Sequence, residues 1–241
     1  MEYTWSSYCG LMDKLKANGY SPIRFCDVSE SIDYPAIIRH DVDMDLQKAV
    51  EMAELEKRIG IKSTYFVLLS SEYYNIFSGK NMESSRRIID LGHEIGLHFD
   101  ITAYKNNLSL TDIGGVLRRE ILLLESGLNI KVRSISWHIP RNDLLGRHLS
   151  ITDELGILNA YDPYFYKGYK YVSDSMMRWR EPIEEYIEKK KYDKLQILTH
   201  PIWYSDVQNK TYDEILNENN KRRQKIINEW SKSNWAGHRR C

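Results

Sequence analysis

Ala36-Ile37-Ile38-Arg39-His40-Asp41-Val42-Asp43 is a short β-branched run ending in charged residues, and it reads as a strand. Leu46 to Ile59 follows with Leu46, Ala49, Val50, Ala53 and Leu55 at helical spacing, and Gly60 stops it. Ser63-Thr64-Tyr65-Phe66-Val67-Leu68 is the next strand; Glu83 to Leu91 is a helix closed by Gly92, and His93 to Phe99 is a strand again. Further along, Ile113 to Leu124 reads as a helix, Val132 to Trp137 as a strand, and Ser150 to Leu155 as a helix stopped by Gly156. Tyr169 to Val172 and Leu195 to Thr199 read as strands flanking a helix from Pro182 to Lys190, and a polar helix from Tyr212 to Trp230 follows. Repeated β-then-α units predict an α/β fold of parallel strands, because parallel neighbours need helical crossovers. No Pro/Gly/Ser linker, low-complexity tract or repeat interrupts the pattern, so one domain is expected over residues 1–241, with its core at about 36–204 and a final helix at about 212–230.

Composition narrows the function. The 241 residues carry 34 basic and 34 acidic side chains, and this zero balance argues against a dedicated nucleic-acid or anionic-membrane binder. A local basic patch is compatible with it. Cys9, Cys26 and Cys241 share no metal-type spacing. The start, Met1-Glu2-Tyr3-Thr4-Trp5, lacks a basic or apolar leader, and no apolar run is long enough to span a bilayer. A cytoplasmic protein without integral membrane association is the expectation.

In parallel α/β folds reactive groups collect at the carboxyl ends of strands. Those ends hold Asp41 and Asp43, then His98, His138 and His200. Histidine nitrogens and carboxylate oxygens suit a divalent metal, with zinc foremost. Strand alternation puts Arg39, Asp41 and Asp43 on one face and His40 on the other. Two adjacent carboxylates repel unless a cation lies beside them. The plainer reading of Asp43 is a helix cap.

Gly92-His93-Glu94-Ile95-Gly96-Leu97-His98 resembles the second motif of the polysaccharide deacetylase superfamily, carbohydrate esterase family four. Gly60 to Val67 resembles its second strand, Arg39-His40-Asp41-Val42-Asp43 a variant of its first motif, and Leu198-Thr199-His200 its last. The resemblance runs in order from about residue 36 to 204. It implies a distorted (β/α) barrel with fewer than eight strands and metal-dependent removal of acyl groups from sugars. It also implies Asp41 as base, Asp43 and His98 as metal ligands, and His200 as general acid.

Two departures stand out. Thr102 occupies the place of the family's second metal histidine, and His138 stands near where an arginine usually steadies the base. We expect His138 to complete an Asp43, His98, His138 site, with Asp100 as the competing ligand. The arginine's role then falls to Arg39, Arg141 or Arg178. Asp174 is expected to orient His200.

Trp137, Trp179, Trp203 and Tyr204 adjoin the motifs and read either as sugar-stacking platforms or as packing. His40 and His93 read as buried structural histidines, while His148 and His238 join no constellation. Lys221-Arg222-Arg223 reads as a solvated face or a contact for membrane or lipid phosphate. The leading functional expectation is deacetylation of an N-acetylated sugar, nucleotide- or lipid-linked, made for a surface polysaccharide such as lipopolysaccharide or capsule. A related amide hydrolase of small non-sugar substrates, and an inactive sugar-binding homologue, are the alternatives.

Overall fold

The computed structural model describes residues 1–104 and 108–238; Cys241 lies outside the described residues. Its elements run α1 (Trp5–Ala17), β1 (Ser21–Ile23), β2 (Pro35–Val42), α2 (Leu46–Arg58), β3 (Thr64–Val67), α3 (Gly79–Asp90), β4 (Glu94–Phe99) and α4 (Leu110–Leu128). There follow β5 (Ser134–Trp137), α5 (Ser150–Leu155), β6 (Leu158–Asn159), α6 (Pro163–Gly168), β7 (Lys170–Ser173), α7 (Ile183–Glu188), β8 (Leu195–Thr199) and α8 (Tyr212–His238).

Seven strands pair side by side in the order β6-β5-β4-β3-β2-β8-β7, every pair parallel, and the three-residue β1 lies against the start of β2. The sheet is curled. In a flat sheet β2 and β5 would stand three strand spacings, roughly 14 Å, apart, yet the Arg39 guanidinium on β2 donates to Ser136 Oγ on β5. Gln196 Nε2 on β8 donates at 3.3 Å to the carbonyl of Ala160, just beyond β6, across the open side. The result is a distorted (β/α) barrel that stays open between β6 and β7. All eight residues of β2 are buried, as its central place requires.

Gly96 shows how tightly the concave side is filled. A Cβ there would lie 2.5 Å from the Phe66 ring and 2.9 Å from the Ser134 carbonyl, so only glycine lets β4 pass between β3 and β5.

The sequence-derived elements hold with small shifts at their ends. The helix over 113–124 begins earlier, at Leu110, because Ser109 and Asp112 form a capping box; it ends at Leu128, where Asn129 takes the left-handed conformation. α1, β1, β6 and α6 were not anticipated. β6 has two residues and β1 three, too few to display a period.

The α2 stripe also differs from the expectation. Leu46, Ala49, Met52, Ala53 and Glu56 are buried, whereas Val50 and Leu55 are only partly so. A carboxylate therefore occupies a core position. Glu56 accepts hydrogen bonds from Tyr8 (2.5 Å), Tyr65 (2.6 Å), Ser63 (2.5 Å) and His40 (2.9 Å). His40 also pairs with Thr199 Oγ1 at 2.7 Å, and His93 binds the Ala53 carbonyl at 3.0 Å, so both are structural histidines, as read. This network joins α1, α2, β2, β3 and β8 on the convex side of the sheet.

Candidate metal centre and catalytic cleft

Strand alternation sorts the chemistry. In parallel pairs residues in register share a face, and His98↔Ser136 and Phe66↔Gly96 are such pairs. Arg39, Asp41, Ser136, Leu198 and Gln196 point into the concave side; His40, Tyr65, Trp137 and Thr199 point outward to the helices.

At the carboxyl rim, Asp45 caps α2, accepting from the amides of Gln47 (2.8 Å) and Lys48 (3.3 Å). Asp43 is thereby free of the capping role and turns into the cleft. Asp43 Oδ1 lies 3.2 Å from His98 Nε2 and 3.3 Å from His138 Nδ1, and these two nitrogens are 3.2 Å apart. Although both imidazoles are close, neither is directed as a donor, and Oδ1 is a buried oxygen without a hydrogen-bond partner among the described residues.

These distances test whether a cation fits. A tetrahedral shell with ligands at about 2.0–2.1 Å has edges of about 3.3–3.4 Å, and the three donor atoms form a triangle of nearly that size. Asp43, His98 and His138 are also the metal-competent group that the described residues hold. The donor set, one oxygen and two imidazole nitrogens, suits zinc. Burial by itself would raise the Asp43 pKa, but the adjacent His138 and His98 hold it well below the ordinary carboxylate range. It is therefore an anion when a cation arrives. Thr102 donates to Asp100 at 2.7 Å and lies outside the triangle.

Asp41 stands beside this group, its Oδ2 3.4 Å from His98 Nε2. Arg39 grips it from below with Nη2 at 2.9 and 2.7 Å from the two oxygens and Nε at 3.2 Å. The guanidinium is fully buried and completed by Gln196 Oε1 at 3.1 Å. Among the three arginines considered, Arg39 is thus the one on Asp41. Arg141 instead pairs with Asp143 (2.9 Å) and the Leu108 carbonyl, and Arg178 is exposed.

On the opposite wall His200 Nδ1 meets Asp174 Oδ1 at 2.6 Å, and its backbone amide donates to Oδ2 at 3.1 Å. Its Nε2 faces the cleft, 3.7 Å from Asp43 Oδ2. Burial works against the imidazolium, but the Asp174 charge and hydrogen bond outweigh it and raise the pKa to about 9. His200 therefore carries a proton near neutral pH, with Nε2 as the nitrogen available to give it.

A cavity of about 490 Å³ opens over these groups. Its walls include Tyr73, Tyr161, Tyr171, Trp203 and Tyr212. Of the three tryptophans expected to meet a sugar, Trp203 lies on this wall. Trp137 is corrected: it is 1% exposed, on the outward parity of β5, with its ring against Phe99. Trp179 packs on the convex-side core and does not line the cavity. The tyrosines went unread. Tyr73 and Tyr161 lie in loops, Tyr171 on β7 and Tyr212 at the start of α8, and they meet only when the barrel curls.

The distorted (β/α) barrel is a fold that this chain shares with a solved deacetylase. The chain is similar to the chitin deacetylase from the fungal pathogen Colletotrichum lindemuthianum, with TM-score 0.50 and 14% identity over 84% of this chain and 86% of that one. A family 4 carbohydrate esterase from Bacillus anthracis aligns at TM-score 0.45 and 14% identity, covering 92% of this chain and 86% of that one. A pseudoenzyme of the same family from Bacillus anthracis aligns at TM-score 0.48 and 16% identity over 86% of this chain, which spans 65% of that protein's length. No family model matches the sequence, and no curated protein matches it significantly.

Proposed function

We propose that this protein is a metal-dependent hydrolase that removes the acetyl group from an N-acetylated sugar. The observation that carries the reading is the convergence of a tetrahedron-sized Asp43, His98, His138 triangle with an arginine-held Asp41 and a carboxylate-held His200. A base and an acid on opposite walls of one metal-competent cleft match hydrolysis of an amide.

Asp43, His98 and His138 would hold a divalent cation, zinc by donor preference, which would supply Lewis-acid polarisation for the hydrolysis. Asp41 is positioned to take the proton of the attacking water as the water oxygen bonds to the acyl carbon. Arg39 fixes the direction of Asp41, since the guanidinium holds both of its oxygens. The C–N bond then breaks, and His200 Nε2 delivers the proton that the departing amine needs. Asp174 fixes the ring through Nδ1, which leaves Nε2 as the donor. Trp203 and the cleft tyrosines offer ring faces to a sugar.

The finer reading is a nucleotide- or lipid-linked sugar used for surface polysaccharide, acted on in the cytoplasm by one catalytic domain. No lysine or arginine is among the described residues lining the cavity. The carrier's phosphates would accordingly lie outside it, with the acetamido sugar inside. The test is acetate release from a panel of free, nucleotide-linked and lipid-linked N-acetylated sugars, using zinc-loaded protein. Release that stops in Asp41→Asn supports the reading. Tight zinc binding with no acetate from any sugar would replace it with a sugar-binding homologue, and release from small non-sugar amides alone would replace it with the other hydrolase.

A further inference from the structure

The run Lys221-Arg222-Arg223, expected on a solvated face or against lipid phosphate, divides in the structure. Lys221 is exposed, whereas both arginines are partly buried and turn to the body, on the side where α8 buries Ile215 and Asn219. Arg222 Nη1 donates to Asp45 Oδ2 at 2.9 Å. Arg223 Nη2 donates to the Glu72 carbonyl at 2.8 Å, and its guanidinium carbon lies 4.9 Å from the centre of the Tyr73 ring.

These partners belong to the two segments that hold Asp43. Asp43 stands one residue past the end of β2, between Val42 and the Asp45 cap of α2. Its carbonyl accepts from Ser71 Oγ at 3.0 Å, and the Val42 carbonyl accepts from Tyr74 Oη at 2.6 Å. The loop after β3 is therefore tied to the turn after β2 at two points, and Tyr73 lies between them on the cavity wall. Arg222 grips the turn at its α2 end, and Arg223 grips the loop. Consecutive residues on a helix point about 100° apart, so one rigid helix reaches both segments.

A partly exposed ion pair adds little to stability. Its hold on geometry counts for more here, because Asp43 Oδ1 lies 3.2 Å from His98 Nε2 and 3.3 Å from His138 Nδ1. A metal ligand displaced by more than about 0.2 Å leaves its proper distance. We propose, resting on the metal-centre reading, that Arg222 and Arg223 are positioning residues of this site. Arg222 sets Asp43 for the cation through Asp45, and Arg223 sets Tyr73 for the sugar through the Glu72 carbonyl and the ring face.

The experiment titrates the full chain with zinc against a chelating indicator, and measures acetate release over a range of concentrations of a soluble N-acetylglucosamine oligomer. Arg222→Met keeps the aliphatic stem and removes the grip on Asp45. Its zinc affinity should fall about tenfold, the low end for outer partners of a metal ligand. Arg223→Met should bind zinc as the wild type does and raise KM for the oligomer about fivefold with kcat little changed, since a binding surface moves rather than the reacting groups. Arg222→Lys and Arg223→Lys keep a cation and should recover part of each effect. Lys225→Met, an exposed change on the same helix, should match the wild type in both readouts. If the zinc-loaded protein releases no acetate from the oligomer, its Kd by calorimetry replaces KM, with the same fivefold loss expected. Arginines that serve only folding would lower Tm in circular dichroism while zinc affinity and KM stay at wild-type values, and that result would overturn the proposal. Zinc lost in His138→Ala but held normally in Arg222→Met would likewise overturn it and leave the metal centre standing. Wild-type protein that binds no zinc would overturn the metal-centre reading itself, and the proposal with it.

Discussion

Replacing Glu56 by glutamine tests whether the buried carboxylate on the convex side is held as an anion. The side chain is fully buried and accepts from Tyr8, Tyr65, Ser63 and His40; burial alone would raise its pKa, but His40 foremost, then His93 and the Ser63 hydrogen bond, hold it down at about 2. An unfolded glutamate titrates near 4.5. The gap corresponds to about 3 kcal/mol of stability in favour of the folded state. Because the folded pKa is the lower one, this stability is fully present above about pH 4.5 and is lost as pH falls toward about 2. Glutamine keeps the shape but presents an NH2 group to an array of donors, so a cost of about 3 kcal/mol is expected at neutral pH, within the range for breaking a buried charged pair. For a chain of this size that lowers Tm by roughly 6–12 °C. Urea denaturation of both proteins from about pH 7 to pH 3 should show the wild type losing about 2 kcal/mol more than Glu56→Gln over that interval. A stability gap that is constant from neutral to acid pH, or absent at neutral pH, would refute the reasoning.

Three further outcomes follow from the cleft. His138→Ala should lower zinc affinity by more than about 100-fold in metal analysis after dialysis, whereas Thr102→Ala should leave it unchanged. His200→Asn should reduce kcat by about 10²–10⁴-fold while zinc stays bound, and loss of zinc instead would make His200 a ligand. Trp203→Ala should raise KM for the sugar, while Trp137→Phe should leave KM unchanged and act only on stability through its core packing.

Much of this architecture was legible along the chain, because strands and helices write their burial into local periodicity. β8 and α5 match their expected bounds, and the central β2 was visible as an unbroken apolar run entering Arg39-His40-Asp41-Val42-Asp43. Alternation also separated the His40 face from the Asp41 face, a consequence of the two-residue period of any strand. The residues that now surround the cleft were legible as polar groups at strand ends. Which ones meet was not.

That was decided by curvature and packing. Arg39, Arg141 and Arg178 are equivalent as charged letters, and only the curl that brings Ser136 and Gln196 around the guanidinium selects Arg39. Trp137 and His138 are adjacent in sequence, yet one faces the core and the other Asp43, because β5 alternates and its register is set by β4. Glu56 sits at a helical position where a carboxylate would ordinarily face water, and four donors from distant segments reverse that. Local pattern follows from short-range sterics and the burial of one face, so the sequence by itself determined the alternating α/β order and the candidate chemistry at strand ends. The triangle of Asp43, His98 and His138 and the choice of Arg39 depend on contacts between residues far apart in the chain. Only the tertiary structure brings those residues together.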